Sequence, residues 1–352
     1  MDAKLTLRNS IAIILFNLGL TTPARRSSGC LSIVTFHRVL PEADRQNYPF
    51  PDLVVTPLEL DTLLTYFTKH FDCGALAAQH ERYLNGEITP RPLLAITFDD
   101  GQYDNFCYAR PVLDRHRVSA SFFVPVIAIE RQEMLWHDRL GFAVLKLLNK
   151  DQGRQECLMQ ALAAAGLPAK SQHILISDIV EASKSLTLAA RLRLVNELVQ
   201  ASGEAQSPEF ARPMTLAEIA ELAAEGHEIG SHSMTHCMMT ECDDQSLSFE
   251  VAESRRVLQE CTGLLIETFC YPNGNSDTRT AQAVANAGYR RAVTTTPGRN
   301  GKGGDCFQLN RYDMVSKRVQ NTNGRFVPAL LAFRMSGLYP GELRSFFVPR
   351  GE

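Results

Sequence analysis

The sequence lacks the features that mark several large classes of protein. Its nine cysteines form no CxxC pair, and such unpatterned thiols are typical of a reduced, cytoplasmic chain, although one pair could bridge. It has no apolar run near the roughly 20 residues that a membrane-spanning helix needs. Its net charge is -3, so it has none of the basic excess of a nucleic-acid-binding protein. The length of 352 residues and the hydrophobic content of 45% instead indicate a globular protein that can bury a large core in one or two domains.

The N-terminal segment, residues 1–29, resembles a signal peptide only in part. Lys4 and Arg8 precede the apolar run 11–16, but Arg25 and Arg26 follow where a small-residue cleavage site would stand. We therefore expect an uncleaved helix that packs on the protein or touches a membrane surface. This predicts a cytoplasmic or membrane-associated protein, and a cleaved signal with export is the alternative.

From residue 30 onward, β-branched apolar runs alternate with amphipathic helical patterns, which favours a mainly parallel α/β fold over residues 30–352. The predicted strands are 30–39, 93–98, 120–126, 226–230, 267–271 and 289–294, and the predicted helices are 57–71, 109–116, 215–224, 247–262 and 279–287. Residues 133 to about 213 contain only helical patterns, so we predict an all-helical insertion there. It would form a lid or wall over a substrate groove, or else serve as packing or a dimer surface.

Two clusters of polar residues suggest a hydrolytic metal centre. Asp99 and Asp100 follow a buried strand, where unpaired carboxylates would be costly and a cation would compensate them. His232 and His236 are four residues apart, so one helical turn would place both imidazoles on one side. Each pattern alone has a simpler explanation, since paired Asp before Gly is common in turns and HxxxH is a weak motif. Together they offer carboxylate and imidazole ligands with one carboxylate left over as a base.

Three motifs in this order resemble the polysaccharide deacetylase family, also called the NodB homology domain or carbohydrate esterase family 4. They are TFDDG at 97–101, HEIGSHSMTH at 227–236 and FCYPNG at 269–274. The YHxx-like pattern around His37 and the DDGxxDN pattern at 99–105 resemble the exopolysaccharide-type subgroup. The resemblance implies a distorted (β/α)7 barrel that removes acetyl groups from amino-sugar glycans with a divalent metal.

Carried over to this sequence, the resemblance implies a role for each motif residue. Asp99 would be the general base for a metal-bound water, and Asp100 with both histidines would hold the metal. Imidazole and carboxylate ligands suit Zn²⁺ well, with Ni²⁺, Co²⁺ and Fe²⁺ as alternatives. The third motif, Tyr271-Pro272-Asn273, would contact the substrate, with the Asn273 N–H as an oxyanion donor.

The sequence departs from the family pattern at two positions. Cys270 stands where the family has the arginine that tunes the base, and Arg311 could replace that arginine or simply be a surface charge. No histidine follows His236, so the family's usual catalytic acid is missing, and His37 is the first candidate to replace it. His137 is a second candidate. Trp136, the only tryptophan, would be either a sugar platform or a core residue.

These observations predict a metal-dependent N-deacetylase that acts on an amino-sugar glycan or its precursor. An O-acetyl glycan esterase is the alternative within the same chemistry. A carbohydrate-binding pseudoenzyme is the alternative outside it, because two family positions have changed. The partners expected are the N-acetylated substrate and a membrane surface, with no nucleic acid, and the sequence predicts no oligomeric state.

Overall fold

The structure is a computed structural model, and it describes residues 3–149, 152–167, 175–203, 208–321 and 323–338. The ends of the two predicted domains, residues 1–2 and 339–352, lie outside the described residues, as do 150–151, 168–174 and 204–207 of the predicted insertion. Each statement below concerns the described part of the chain.

Ten strands are present, and every pairing between them is parallel. In chain order they are β1 (Leu31–Phe36), β2 (Arg38–Val39), β3 (Val54–Val55), β4 (Asp72–Gly74), β5 (Leu93–Phe98), β6 (Ser121–Val124), β7 (Glu228–Ser231), β8 (Thr268–Cys270), β9 (Arg291–Val293) and β10 (Tyr312–Asp313).

The main sheet has the order β10-β1-β5-β6-β7-β8-β9, and β4 pairs with the first half of β5. The segment 309–313 links the two ends of this strand order. Leu309 forms a β-bridge to Val293 of β9, and Tyr312 of β10 pairs with Val34 of β1. The curled sheet and its surrounding helices confirm the predicted distorted (β/α)7 fold. The β5 strand has the predicted bounds. The predicted strand 30–39 is instead divided at His37, because β2 leaves the main sheet and pairs with β3.

Sixteen α-helices surround or extend the sheet. They are α1 (Ala3–Asn17), α2 (Pro23–Arg26), α3 (Glu42–Arg45), α4 (Pro57–His70), α5 (Leu76–Leu84), α6 (Arg110–His116), α7 (Val126–Arg131), α8 (Trp136–Leu148), α9 (Gln152–Ala164), α10 (Ile176–Ser183), α11 (Leu188–Ser202), α12 (Leu216–Ala224), α13 (Asp244–Thr262), α14 (Thr278–Asn286), α15 (Ser316–Val319) and α16 (Pro328–Arg334). A π-helical turn, Asn105–Ala109, precedes α6, and short 3₁₀ turns cover Pro51–Leu53, Glu209–Ala211, Met239–Glu241 and Pro272–Gly274.

Local sequence explains several helix starts. Thr56 and Thr215 each accept a hydrogen bond from the backbone N–H three residues later, and the carboxylates of Glu59 and Glu218 accept one from the backbone N–H of the threonine. Helices α8–α11 fill the region between β6 and α12 that was predicted to be an all-helical insertion. They have their own apolar core, which includes Leu140, Leu162 and Leu198.

Alternating residues of the parallel strands build two different layers. Side chains such as Ile33, Ala95 and Phe123 point into the barrel and pack together there, while Val34 and Ile96 pack outward against the helices. Within the barrel, the layer near the carboxyl ends of the strands is polar. This polar layer is where the predicted site lies.

The described helices include none that is both long and apolar enough to cross a bilayer. All nine cysteines are free thiols.

Candidate metal centre

Asp99 and Asp100 diverge because the chain turns sharply at the end of β5. The Asp99 N–H still donates to the Phe36 carbonyl, as a strand residue would, at 3.0 Å. Asp100 and Gly101 then both adopt left-handed backbone angles, with φ of 72° and 59°. Aspartate is among the few residues that tolerate this region. The turn sends the two carboxylates to different partners.

The predicted helical turn between His232 and His236 is wrong. Both residues lie in the loop after β7, and Ser233 and His236 have positive φ angles of 67° and 58°. Glu250 of α13 holds this loop, since its carboxylate accepts the Met234 and Thr235 N–H groups at 2.9 and 2.8 Å. A distant glutamate therefore provides the geometry that the spacing alone suggested.

Asp100 and the two histidines form a compact set of three ligands. The Nε2 atoms of His232 and His236 lie 3.4 and 3.2 Å from Asp100 Oδ1. The other ring nitrogen of His232 is hydrogen-bonded to the Cys270 carbonyl at 2.8 Å, which in a neutral ring leaves Nε2 without a proton and able to bind a cation. All three ligand atoms lie within 4.8 Å of one another, so the residues fit a divalent cation.

The electrostatics of this cluster also favour a cation. Burial lowers the pKa of His236 to about 4, so its ring is neutral and able to ligate. Burial alone would raise the pKa of Asp100, but hydrogen bonding to the two histidines lowers it well below its usual range. Burial would lower the pKa of His232, but Cys270 and Asp100 outweigh burial and raise that pKa well above its usual value, so this ring is charged beside Asp100, and a cation bound there would replace its proton.

Arg311 forms a buried, two-pronged ion pair with Asp99. Its Nη1 donates to Asp99 Oδ1 and its Nη2 to Oδ2, each at 2.7 Å. The guanidinium is fixed by further bonds to the Thr294 carbonyl and the hydroxyls of Thr35 and Thr97. Burial by itself would raise the pKa of Asp99, yet Arg311 outweighs burial and holds that pKa below its usual value.

Cys270 faces the same guanidinium from inside the barrel. Its Sγ lies 3.2 Å from Arg311 Nη2 and 3.7 Å from Asp99 Oδ2. Asp99, His232 and Cys270 form a second group with ligand spacing. We favour the Asp100 set instead, because the guanidinium already neutralises Asp99 and would repel a cation beside it.

His37 lies between two carboxylates at the end of β1. Its Nε2 is 4.0 Å from Asp99 Oδ2, and its Nδ1 is 3.9 Å from Asp313 Oδ1. The side chain is 22% exposed, so solvent and a substrate can reach it. Asn105 donates to the His37 carbonyl at 3.0 Å and so fixes the backbone there.

His137 and Trp136 begin α8, at the edge of the site. The His137 ring lies 5.4 Å from the His236 ring, centre to centre. Trp136 is half-buried, packs on the core of the insertion and is stacked by the Arg191 guanidinium at 5.0 Å. Its indole therefore belongs largely to the packing of the insertion.

The third motif supplies a backbone group rather than side chains. Tyr271 is fully buried against Phe269, and its N–H donates to the Val293 carbonyl, so neither group can contact a substrate. Pro272 has no N–H and is buried as well. Asn273 is exposed with a φ of 58°. A side chain at Gly274 would collide with Thr295, so the turn requires glycine.

Several residues of the site have no signal in the sequence. Glu250 and Asp313 act from elements far along the chain, and neither has a recognisable motif. Lys184, at the end of α10, donates to the Asn273 side-chain oxygen at 2.6 Å. The insertion thus contacts the third motif directly.

A buried ionic network behind the site was also missed. Arg38 pairs with Asp104 at 2.7 Å and with Asp138 at 3.5 Å, and Tyr48 donates to Asp138 at 2.7 Å. Burial raises the pKa of Asp104 to about 7, even though Arg38 opposes this. The sequence signals were the DDGxxDN pattern, which includes Asp104, and the pattern LWHD around Asp138. The network ties the insertion to the loops after β1 and β5.

Comparison with known proteins agrees with the motifs and the fold. The sequence model of the polysaccharide deacetylase family matches residues 179–292, which include both histidines and the third motif but not Asp99 and Asp100. YxkH of Bacillus subtilis, a curated protein assigned to the polysaccharide deacetylases, is 26% identical over 117 residues. This match covers 33% of the chain and 42% of YxkH, so it spans about two fifths of the relative's length.

Solved structures extend the likeness to most of the chain. The deacetylase PplD of Streptococcus pyogenes, solved with acetate, has a TM-score of 0.54 at 15% identity and covers 91% of this chain and 99% of its own. A polysaccharide deacetylase from Bacillus cereus has a TM-score of 0.50 at 15% identity, over 81% of this chain and 65% of its own. IcaB of Ammonifex degensii has a TM-score of 0.50 at 19% identity, over 82% and 93%. At these identities the structures show a shared fold.

Proposed function

We propose that this chain is a polysaccharide deacetylase that removes N-acetyl groups from amino sugars of a glycan or glycan precursor with the help of a divalent metal. The observation that carries the proposal is that the adjacent residues Asp99 and Asp100 have two different environments. Asp100 faces two histidines with ligand geometry, and Asp99 beside it is held as a carboxylate by Arg311.

The two aspartates would divide the work. Asp100, His232 and His236 would hold the metal, most simply Zn²⁺, given two imidazoles and one carboxylate. A cation bound there would polarise the acetyl carbonyl and make a water molecule more acidic. Asp99 would take the proton from the attacking water. Arg311 occupies one lone pair on each Asp99 oxygen, and a carboxylate has about four such positions, so Asp99 can still accept a proton.

Two further groups would act on the other side of the reacting carbonyl. The Asn273 N–H would donate to the oxygen as negative charge develops on it. His37 would donate a proton to the departing nitrogen, and Asp313 Oδ1 lies 3.9 Å from the Nδ1 atom of the same ring. His37 lies within 4.0 Å of two carboxylates, Asp99 and Asp313, whereas His137 lies 3.8 Å from Asp138 and beside His236, so we favour His37 for this role.

The presence of an acid favours an amide over an ester as the bond cleaved. An amine is a poor leaving group unless its nitrogen is protonated, whereas an alkoxide from an ester leaves more readily. His37 beside Asp99 would provide that proton. Cys270 stands at the position of the family's arginine, but Arg311 pairs with Asp99 from a different position in the chain. The base therefore keeps an arginine partner, and this argues against a pseudoenzyme.

The proposal can be tested by measuring acetate release. The protein is treated with a chelator, divided, and assayed with and without added Zn²⁺ on oligomers of N-acetylglucosamine and on an O-acetylated glycan of similar length. We expect acetate from the N-acetylated oligomers only when metal is present, and none from the Asp99→Asn variant. Release from the O-acetylated glycan alone would identify an esterase. Metal binding with no release from either substrate would identify a binding protein.

A further inference from the structure

Helix α1 carries an apolar stripe that faces solvent. Leu7, Ile11, Ile14 and Leu18 are 63%, 41%, 57% and 65% exposed. Their spacing of four, three and four residues places them on one side of a helix. Leu18 follows the last helical residue but keeps the helical hydrogen bond to the Ile14 carbonyl, at 3.0 Å, so it continues the stripe.

Another face of the same helix is already packed on the protein. Ala12 is fully buried against Leu330 and Phe333 of α16, with Leu15 at the edge of this small core. The exposed stripe therefore cannot turn inward unless these contacts break. A helix that is apolar on two faces is normally covered on both.

Between Asp2 and Glu42 the sequence contains basic residues and no acidic one. After Asp2, the next acidic residue in the sequence is Glu42, while Lys4, Arg8, Arg25 and Arg26 fall between them. Arg25 is exposed in α2, the helix that follows α1 in the chain. This contrasts with the whole chain, whose net charge is -3. Apolar residues bordered by basic ones match the interface of an anionic lipid bilayer.

We propose that α1 lies in the plane of an anionic membrane surface, with Leu7, Ile11, Ile14 and Leu18 inserted among the lipids and the neighbouring basic residues against their headgroups. A helix of 15 residues is too short to span the bilayer and long enough to lie along it. The chain would then hold the barrel beside the membrane. This inference does not depend on the proposed catalytic function.

A vesicle-binding experiment tests the proposal. The full chain is sedimented with vesicles of phosphatidylcholine, with or without phosphatidylglycerol, over a range of salt concentrations. We expect binding to the anionic vesicles that weakens with salt. The double variant Ile11→Ser/Ile14→Ser should lose it. Replacing Arg25 with Gln should weaken binding about fivefold, as expected for one basic residue near an anionic surface.

A matched control separates the stripe from general surface hydrophobicity. Leu58 and Ile88 are 75% and 97% exposed on other elements, and the variant Leu58→Ser/Ile88→Ser should bind vesicles as the wild type does. Circular dichroism and thermal unfolding establish that both double variants are folded. The proposal fails if the wild type does not bind anionic vesicles, or if the two double variants bind them equally well. It also fails if light scattering shows a dimer that only Ile11→Ser/Ile14→Ser dissociates, because the stripe would then be a subunit interface.

Discussion

Replacing Arg311 with Gln tests how the base is tuned. In the wild type, burial favours the protonated form of Asp99, and the two 2.7 Å bonds from Arg311 reverse that preference. Removing one partner of a buried ion pair costs about 3–5 kcal/mol. At about 1.4 kcal/mol per factor of ten, this corresponds to about two to four orders of magnitude in the proton affinity of Asp99. The pKa of Asp99 should therefore rise in the variant.

The consequence is a shifted pH profile rather than a uniform loss. A base acts in its deprotonated form, so the acidic limb of the kcat/KM profile should move to higher pH, with most activity lost in mild acid and part of it regained in alkali. The folded-state pKa of Asp99 is depressed, so the pair stabilises the protein above the pKa of an unfolded aspartate and ceases to do so as pH falls through the folded value. The variant should thus lose stability near neutral pH and lose less in acid.

Two controls make this result interpretable. Arg311→Lys keeps a positive charge without the two-pronged geometry and should fall between wild type and Arg311→Gln. Arg291→Gln removes another buried arginine, one that contacts His80 and Thr268, and should lower stability without moving the pH profile. An Arg311→Gln profile with an unchanged acidic limb would refute the assignment of Arg311 as the group that tunes Asp99.

Three further variants address the other parts of the site. His37→Gln should lower kcat by about 10²–10⁴ while leaving metal affinity intact, as measured by steady-state kinetics and calorimetry; wild-type turnover would remove His37 from the mechanism. Lys184→Ala should reduce kcat/KM by about twofold to tenfold through the lost bond to Asn273, with Lys184→Arg recovering part of it, and equal loss in both variants would count against this contact. Glu250→Gln should weaken metal binding about 10–100-fold, because Glu250 shapes the histidine loop, whereas Glu253→Gln on the exposed side of the same helix should not.

Much of the fold could be predicted because its signals are local. The β5 strand is an apolar run broken only by Thr97, and α4 and α12 begin with a threonine and a glutamate three residues apart. Each of these features depends on neighbours in sequence. The division of the first strand at His37 was not predictable in this way, since it depends on β2 pairing with β3.

The site could be predicted in its residues but not in its geometry. The spacing of His232 and His236 favoured a helix, and the structure instead uses a loop with two positive φ angles, held by Glu250 from another element. Because Cys270 stands where the family has an arginine, the sequence suggested Arg311 as a replacement, and Arg311 does contact Asp99. The contributions of Asp313, Lys184 and Asp138 depend on long-range contacts that a single sequence does not reveal.

The division of labour between Asp99 and Asp100 is tested most directly by measuring metal binding and acetate release on the same two variants. Asp99→Asn should bind Zn²⁺ as the wild type does and release no acetate from N-acetylglucosamine oligomers. Asp100→Asn should lose metal affinity and activity together. Loss of metal by Asp99→Asn, or full turnover in that variant, would contradict the account.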